Sequence, residues 1–463
     1  MNYVSTRGGA APTTFRDALL RGMAPDGGLY MPARWPTLSA GDIRAAAARP
    51  YADLAADILG RFAGDSLPPA AVRAAADRLT ETFHHAAITP LVQLEPNLWV
   101  LELFHGPTAA FKDLAMQMMA VLTDAALEGT GQRLLLLTAT SGDTGAAAVR
   151  AFAGATSVDL AVLHPLDRVS PVQRRQMTTV DAPNVLNLAV RGDFDDCQRL
   201  VKAILADETL REGRRVSSVN SINWGRLAGQ VPYYVAAASA LGAPHVTPRF
   251  VVPTGNFGDA FAGFVARQMG LPIERIVVAT NSNDILARAF ADGRYARGEV
   301  MATQSPAMDI QSASNFERLY FEAVRREAVE TARAFAAFGE AGHIDIPPAA
   351  QAFMGELFTG VSVSEDETAR TMLATLNETG ELIDPHTAVG VAALRQARDL
   401  PGPIIVLSTA HPAKFPEAVA AATSVTPDLP RWTQSLAARP ERFDRLPADA
   451  EAIKACVRAF AES

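Results

Sequence analysis

The sequence predicts an α/β fold in which doubly wound, mostly parallel sheets form two lobes, together with an N-terminal helical domain. From about residue 91 onward, short apolar and β-branched runs alternate with amphipathic helical patterns, which is typical of parallel sheets covered by helices. Before about residue 90, apolar residues recur at helical spacing, with Pro and Gly between the segments. The fold class is predicted from these two observations.

The individual elements follow in chain order. The N-terminal domain has helical patterns at 42–49, 51–61 and 69–83. Apolar runs predict strands at 133–138, 158–163, 185–190, 250–253, 275–280 and 404–409. Helical patterns lie between these strands at 144–153, 195–206 and 259–269.

The domain division follows from changes in composition. We predict an N-terminal helical domain at 1–90 and an α/β lobe at 91–242, because the composition changes near residue 242. A second α/β lobe occupies 243–463, and long helical patterns with few strands predict a helical insertion within it around 282–379.

Composition and charge exclude several classes of protein. The 463 residues are 49% hydrophobic and 20% charged, which suits a soluble protein with a sizeable core. A net charge of -8 argues against a nucleic-acid partner. Cys197 and Cys456 share no motif, and the histidines lack ligand spacing, so we expect a reducing compartment and no metal. Without an apolar leader or a run of membrane length, we expect a cytoplasmic protein.

The segment at 105–113 (His-Gly-Pro-Thr-Ala-Ala-Phe-Lys-Asp) is the most informative stretch of the chain. It places Lys112 between Phe111 and Asp113, after a Gly-Pro turn and at the start of a predicted helix. Burial beside apolar groups disfavours a charged ammonium, so the amine becomes available as a nucleophile toward an aldehyde. An ordinary solvent-exposed lysine at a helix start is the alternative.

A Gly-rich turn at 253–259 (Pro-Thr-Gly-Asn-Phe-Gly-Asp) lies between a predicted strand and a predicted helix. Converging backbone N–H groups and a helix N-terminus favour a small bound anion. The turn has no lysine and no G-x-G-x-x-G spacing, which excludes a Walker loop and a dinucleotide fold. A monophosphate fits best, and a plain β–α turn is the alternative.

Three further polar segments lie near the ends of strands. The turn at 140–145 follows an apolar run and opens a predicted helix, and plain helix N-caps at Ser141 and Asp143 are the alternative. The segment 408–412 closes another strand, and the carboxyl ends of parallel strands are where open α/β sheets bind ligands. The segment 220–226 contains Arg226, whose planar guanidinium suits a phosphate; a surface arginine on a helix is the alternative.

Together these segments identify a family. Phe-His-Gly-Pro-Thr at 104–108, Phe-Lys-Asp at 111–113, Ser-Gly-Asp-Thr-Gly at 141–145 and Gly-Asn-Phe-Gly-Asp at 255–259 resemble threonine synthases. The opening segment at 16–32 also resembles that family. The resemblance covers nearly the whole chain in the same order. It implies the fold type II, tryptophan-synthase-β-like group of pyridoxal-phosphate enzymes.

The resemblance implies a role for each matching residue. Lys112 would bind pyridoxal 5'-phosphate covalently and move protons. Asp143, where relatives often have asparagine, would lie near the 3-hydroxyl of the cofactor, and Thr409 would face the pyridine nitrogen. The cofactor phosphate would be held by Gly255, Asn256, Phe257, Gly258 and Asp259. The implied substrate-binding residues are Ser141, Thr144, Asn220, Ser221, Arg226 and Lys414.

The implied reaction converts O-phospho-L-homoserine and water to L-threonine and phosphate, the last step of threonine biosynthesis, in a monomer or homodimer. Two alternatives stay open: a fold type II lyase resembling serine and threonine dehydratases, and a non-catalytic relative of threonine synthase. A nucleotide-binding oxidoreductase is the weakest alternative, because the chain has no dinucleotide fingerprint.

Overall fold

The computed structural model describes residues 1–205, 207–211, 214–396 and 402–462. Residue 206, the end of one predicted helix, and residue 463 lie outside them. Within these ranges, no helix is both long enough and apolar enough to cross a membrane.

The N-terminal region combines helices with a small antiparallel sheet. Its elements are β1 (Asn2–Ser5), β2 (Thr13–Thr14), α1 (Phe15–Arg21), β3 (Tyr30–Pro32), α2 (Ala40–Ala46), α3 (Tyr51–Ala63) and α4 (Pro69–Thr82). The strand order is β2-β1-β3. The expectation of an entirely helical domain is therefore wrong, because strands of two to four residues are too short to show a period in the sequence.

Apolar periodicity explains how these elements pack. In α3, Leu54, Ile58 and Phe62 recur at helical spacing and are buried. The hydroxyl of Tyr3 in β1 donates to the backbone oxygen of Phe62 at 2.9 Å, which ties the small sheet to this helix.

The α/β region begins at residue 91. Its first half contains β4 (Leu91–Glu95), β5 (Leu98–Glu102), α5 (Lys112–Leu127), β6 (Leu134–Ala139), α6 (Asp143–Phe152), β7 (Val158–Pro165), α7 (Pro171–Thr178), β8 (Val185–Arg191), α8 (Phe194–Leu205), β9 (Arg215–Ser218), α9 (Trp224–Ala228) and α10 (Val231–Ala240).

The second half contains β10 (Arg249–Pro253), α11 (Gly258–Gln268), β11 (Arg275–Thr280), α12 (Ile285–Asp292), β12 (Arg294–Ala296), α13 (Phe316–Ala323), α14 (Ala328–Ala341), β13 (His343–Asp345), α15 (Pro348–Gly355), β14 (Phe358–Ser362), α16 (Glu365–Thr379), α17 (Pro385–Gln396), β15 (Ile404–Ser408), α18 (Pro416–Thr423), α19 (Arg431–Gln434), β16 (Asp444–Pro447) and α20 (Ala450–Glu462).

Two large sheets organise this region. One has the order β14-β11-β10-β15-β5-β4 and is parallel except for β4, and the other has the parallel order β16-β8-β7-β6-β9. The central strands are buried along their length, as in β7 and β10, because helices cover both faces. The predicted fold class, doubly wound sheets in an α/β chain, is confirmed.

Strands from both sides of residue 242 pair within each large sheet. Strands β4 and β5 join the sheet of β10, while β16 from the end of the chain joins the sheet of β8. Each sheet is therefore discontinuous in sequence, which the linear division into 91–242 and 243–463 does not express. Pairing between parallel strands is non-local, so composition along the chain does not reveal it. The predicted domain limits stay a prediction.

Candidate active site

Lys112 is placed by a turn that closes on Asp113. Thr108 donates twice to the carboxylate of Asp113, from its backbone N–H at 2.7 Å and from its hydroxyl at 2.8 Å. A Cβ at Gly106 would lie 2.6 Å from the Cβ of Asp113, so this turn requires glycine. Asp113 is fully buried, and burial raises its pKa to about 6 despite the hydrogen bonds. The turn leads directly into α5, whose first residue is Lys112.

The side chain of Lys112 is largely buried, with 12% exposed, in a charged environment. Its Nζ donates to Oδ2 of Asp143 at 3.2 Å and lies 5.6 Å from the ring centroid of Phe111. Burial lowers the pKa of Lys112, and repulsion from Lys414 and Arg226 lowers it further, against the attraction of Asp143. A lowered pKa makes the neutral, nucleophilic amine more accessible than it is in an exposed lysine.

Asp143 is shared by two lysines. Lys414 is buried, and its Nζ contacts Oδ1 of Asp143 at 2.7 Å and donates to the backbone oxygen of Thr108 at 2.8 Å. Gln173 donates to the same Oδ1 at 2.9 Å. Burial alone would raise the pKa of Asp143, but both ammonium groups and these hydrogen bonds hold it well below its usual range. Lys414 thus has two short polar contacts, whereas the contact of Lys112 to this carboxylate is longer.

Thr409 follows β15 and adjoins the lysine-bearing turn. Its backbone oxygen accepts from the N–H of Phe111 at 2.8 Å, and Ser408 accepts from the N–H of Leu103 at 3.0 Å. The end of β15 and the start of α5 are thereby held side by side. The structure thus places Thr409 against Phe111, the residue before Lys112, and its role toward the cofactor stays a prediction.

The Gly-rich turn at 254–258 presents free backbone donors at the start of α11. Phe257 adopts the left-handed conformation with φ of 63°. Within the described ranges, the N–H groups of residues 255–258 have no hydrogen-bond acceptor. A Cβ on Gly255 would lie 2.7 Å from the backbone oxygen of Ala307, so the close approach of that segment requires glycine. Free N–H groups at a helix N-terminus form an anion site.

Two side chains at the junction of this turn with α11 face the interior. Phe257 is buried and packs against Phe358, with ring centroids 5.3 Å apart. Both Tyr233 and Tyr234 donate to Oδ1 of Asp259, the latter at 3.0 Å. At Phe257 and Asp259, the backbone is therefore the part available to a ligand.

Burial of Asp259 predicts a measurable stability effect. Burial raises the pKa of Asp259 to about 6, although the tyrosine hydrogen bonds oppose this. A carboxyl group whose pKa is higher in the folded than in the unfolded state stabilises the fold while it is protonated. This stabilisation is complete below the unfolded pKa near 4 and is lost as the pH rises through 6. We expect Asp259→Asn to stabilise the protein at pH 8 by about 2 kcal/mol, because the amide oxygen still accepts from the tyrosines. Urea unfolding at pH 8 and pH 5 measures this gain, which should shrink at pH 5.

The exposed Asp292 provides the control for that measurement. Asp292→Asn should change the unfolding free energy little at either pH. Equal or lower stability of Asp259→Asn at pH 8 would show that the ionised carboxylate is well accommodated.

Arg226 is a buried cation that has no carboxylate partner among the described residues. It lies in α9 and is 4% exposed. Its Nε has no hydrogen-bond partner, and no carboxylate of the described chain lies within ion-pair distance. Burial lowers the pKa of Arg226 to about 10, which leaves it protonated at neutral pH. An unpaired buried charge is costly unless a ligand pairs with it.

The N-terminal region supports the helix that carries Arg226. Asn223 caps α9 and donates from Nδ2 to the backbone oxygen of Leu19 at 2.8 Å. Arg318 is fully buried and donates to the backbone oxygens of Tyr30 at 3.1 Å and Ile222 at 2.6 Å. The segment at 16–32 therefore contacts the structure around the arginine, which gives this part of the resemblance a physical basis.

Asn315 joins the anion-binding turn to the segment at 220–226. Its Nδ2 donates to the backbone oxygens of Ser221 at 3.2 Å and Asn256 at 3.1 Å, and its Oδ1 accepts from Arg318. The predicted phosphate loop and Ser221 are thus held together by a residue that sequence reasoning did not identify.

The remaining predicted residues have weaker structural support. Ser141 is exposed and Thr144 is half-buried, and neither side chain has a hydrogen bond to the described residues. The side chain of Asn220 accepts from the N–H of Ile222 at 3.1 Å and shapes a turn. Sequence reasoning missed three buried polar residues that hold the site, because polar residues within helical patterns resemble exposed ones: Gln173, Asn315 and Arg318.

Comparison with protein families covers nearly the whole chain. The model "Threonine synthase N terminus" matches residues 2–79, "Pyridoxal-phosphate dependent enzyme" matches 82–409, and "Threonine synthase, C-terminal" matches 387–457.

Individual relatives agree with these models. The threonine synthase of Pseudomonas aeruginosa is 44% identical over 459 residues, which cover 99% of this chain and 98% of the relative. The crystal structure of pyridoxal-phosphate-bound threonine synthase from Brucella melitensis has a TM-score of 0.97 and 46% identity, covering 100% of both chains. Yeast threonine synthase has a TM-score of 0.93 and 36% identity, covering 100% of this chain and 99% of the other. The chain therefore belongs to the threonine synthase family of pyridoxal-phosphate-dependent enzymes.

Proposed function

We propose that the protein is a lyase that converts O-phospho-L-homoserine and water to L-threonine and phosphate, with pyridoxal phosphate as its cofactor. The observation that carries this proposal is that α5 begins with a largely buried amine, Lys112, and packs against α9, which holds a buried guanidinium, Arg226, without a carboxylate partner in the described ranges. The first group suits an aldehyde cofactor, and the second suits a phosphorylated substrate.

The donor set of the site fits pyridoxal phosphate. Lys112 offers an amine for the aldehyde, and the free N–H groups of residues 255–258 suit a phosphate dianion. Thr409 is buried at the end of β15 and offers a neutral hydroxyl for the ring nitrogen. When bound, the cofactor acts as an electron sink that acidifies the α-proton of an amino-acid substrate.

The residues of this chain then bind the substrate and move its protons. Arg226, with Ser221, binds the substrate phosphate and stabilises charge as the bond between Cγ and the phosphate oxygen breaks. The amine of Lys112 accepts the proton from Cα and carries protons between carbons. Elimination removes a proton from Cβ and phosphate from Cγ. Water then supplies a hydroxyl at Cβ. Of the three protons released from Cα, Cβ and water, one is delivered to Cγ, one returns to Cα and one leaves with the phosphate, which balances the reaction.

Lys414 contributes a positive charge to the site. Its short contacts to Asp143 and Thr108 hold the ammonium in place. The net positive charge of Lys414, Arg226 and Asp143 attracts a dianionic substrate whether Lys112 is charged or neutral. This arrangement favours a phosphorylated substrate over the uncharged side chains of serine and threonine, the substrates of a dehydratase-like lyase.

One experiment separates the alternatives. The protein loaded with pyridoxal phosphate is incubated with O-phospho-L-homoserine, and both phosphate and threonine are assayed, with L-serine and L-threonine as comparison substrates. Equal amounts of phosphate and threonine support the proposal. Deamination of serine or threonine at a higher kcat/KM favours the dehydratase-like lyase, and no turnover of any substrate favours a non-catalytic relative.

Gly255→Ala is expected to weaken cofactor binding. The added Cβ would meet backbone atoms of Ala307, which cannot move away cheaply, and overpacking of this kind costs about 1–3 kcal/mol. Titration of the cofactor-free variant with pyridoxal phosphate should give a dissociation constant roughly tenfold to a hundredfold higher than that of the unchanged protein. The matched control is Gly339→Ala in α14, where no atom lies within 4 Å of the new Cβ. Equal affinity of both variants would remove this turn from the cofactor site.

We also propose that the protein acts in the cytoplasm, as a monomer or homodimer without nucleic acid. The net charge of -8 and the lack of any shared cysteine motif support this. Light scattering coupled to size-exclusion chromatography measures the oligomeric state directly.

A further inference from the structure

The N-terminus of α17 contains a fully buried carboxylate. Asp384 precedes the helix and accepts from the backbone N–H groups of His386 at 3.1 Å and Thr387 at 2.9 Å. These two bonds make it an N-cap. Asp384 also accepts from two side chains, Nδ1 of His386 at 2.6 Å and the hydroxyl of Thr387. A cap does not need these additional bonds.

The hydrogen-bond network around Asp384 extends through the hydroxyl of Thr387 to the end of β15. Its hydrogen points to Asp384, so Ser408 is the donor in the 2.8 Å contact between the hydroxyls of Thr387 and Ser408. Ser408 is buried and directly precedes Thr409. Hydrogen bonds from Asp384 thereby reach the strand end that leads into Thr409.

The same hydrogen-bond network extends through the imidazole of His386 to the anion-binding turn at 254–258. Since Nδ1 donates to Asp384, Nε2 is free to accept the N–H of Ala307 at 3.2 Å, which requires the neutral ring. The backbone oxygen of Ala307 lies 2.7 Å from the position of a Cβ on Gly255. The other side of the imidazole packs on Phe415, with centroids 4.7 Å apart, next to Lys414.

We propose that Asp384 is a positioning residue that holds two separate parts of the cofactor site, the turn at 254–258 through His386 and the end of β15 through Thr387. The inference rests on the proposed function. A carboxylate is needed because it accepts on both oxygens, and each oxygen serves one branch. Asparagine accepts on one oxygen only, so it preserves one branch and presents an N–H group to the other.

The test uses Asp384→Asn, because asparagine is as good an N-cap as aspartate. Titration of the cofactor-free variant should give a dissociation constant for pyridoxal phosphate roughly tenfold to a hundredfold above that of the unchanged protein. At saturating cofactor, KM for O-phospho-L-homoserine should stay within about twofold, because Arg226 is not part of the network. If Asp384 is only a cap, neither quantity changes.

Two further variants separate the branches and leave Asp384 in place as a cap. His386→Leu cuts the branch to Ala307 and should shift or broaden the phosphorus-31 resonance of the bound cofactor. Thr387→Val cuts the branch to Ser408 and should change the absorption band of the cofactor while leaving that resonance unaltered. These two variants test the inference by themselves if Asp384→Asn does not fold.

Glu367→Gln is the matched control. Glu367 belongs to the capping box of the neighbouring helix α16 and does not contact the site. This variant should lower the melting temperature without changing cofactor affinity. Unchanged affinity and spectra in all three network variants would overturn the inference, whereas failure of the unchanged protein to bind pyridoxal phosphate would overturn the proposed function itself.

Discussion

Lys112→Ala is expected to reduce threonine formation by roughly 10⁴-fold or more, since general acid–base catalysis alone contributes about 10²–10⁴-fold and the nucleophile is lost as well. The variant should still fold, because Asp143 keeps Lys414 and Gln173 as partners. Steady-state release of phosphate and threonine measures the loss, and thermal unfolding verifies the fold.

The assignment of Lys112 can be tested independently of activity. The sequence has only four lysines, Lys112, Lys202, Lys414 and Lys454. Borohydride reduction of the cofactor-loaded protein, followed by peptide mapping, should place the label on Lys112. The exposed Lys202 supplies the control variant, Lys202→Ala, which should keep full activity. A label on another lysine, or near-normal turnover by Lys112→Ala, would refute the assignment.

Arg226→Ala should lower kcat/KM for O-phospho-L-homoserine by roughly tenfold to a hundredfold, since a hydrogen bond to a charged group contributes about 1.5–3 kcal/mol. The same variant should be at least as stable as the unchanged protein, because it removes a buried charge that has no carboxylate partner in the described ranges. Loss of activity with retained or increased stability distinguishes a binding role from a structural role.

Inorganic phosphate provides a second measurement for this arginine. Phosphate should inhibit the unchanged protein competitively with the substrate, and Arg226→Ala should raise its inhibition constant in parallel with the loss in kcat/KM. Arg44→Ala, at an exposed position of α2, is the control and should change neither quantity. A decrease in stability combined with less than a twofold change in kinetics would show that Arg226 is structural.

Local signals in the sequence predicted much of the fold. The strand at 275–280 was predicted with the bounds that β11 has, and 158–163 falls two residues short of the end of β7. Long apolar runs identify buried strands because both faces are covered. Strand β4 has mostly half-buried or exposed residues at a sheet edge, so it gave no comparable signal.

The candidate site also contains residues with a local sequence signal and residues without one. Lys112 and the Gly-rich turn at 253–259 can be predicted as candidates from the sequence because a helix start and a Gly-rich strand–helix turn are local patterns. Asn315 and Asp384 were not found, because each looks like an ordinary polar residue at the start of a helix. Their roles depend on contacts with segments that are distant in sequence, such as the one between Asn315 and Ser221, 94 positions apart.

The sequence by itself determined the fold class, the family and the types of chemical group available: an amine, a Gly-rich anion turn and an arginine. These are properties of short segments or of motifs in a fixed order. Only the tertiary structure decided that Lys414 reaches across 306 positions to Thr108 and shares Asp143 with Lys112. Strand pairing and side-chain contact bring such groups together, and the energy of a buried charge depends on what surrounds it rather than on its neighbours in sequence.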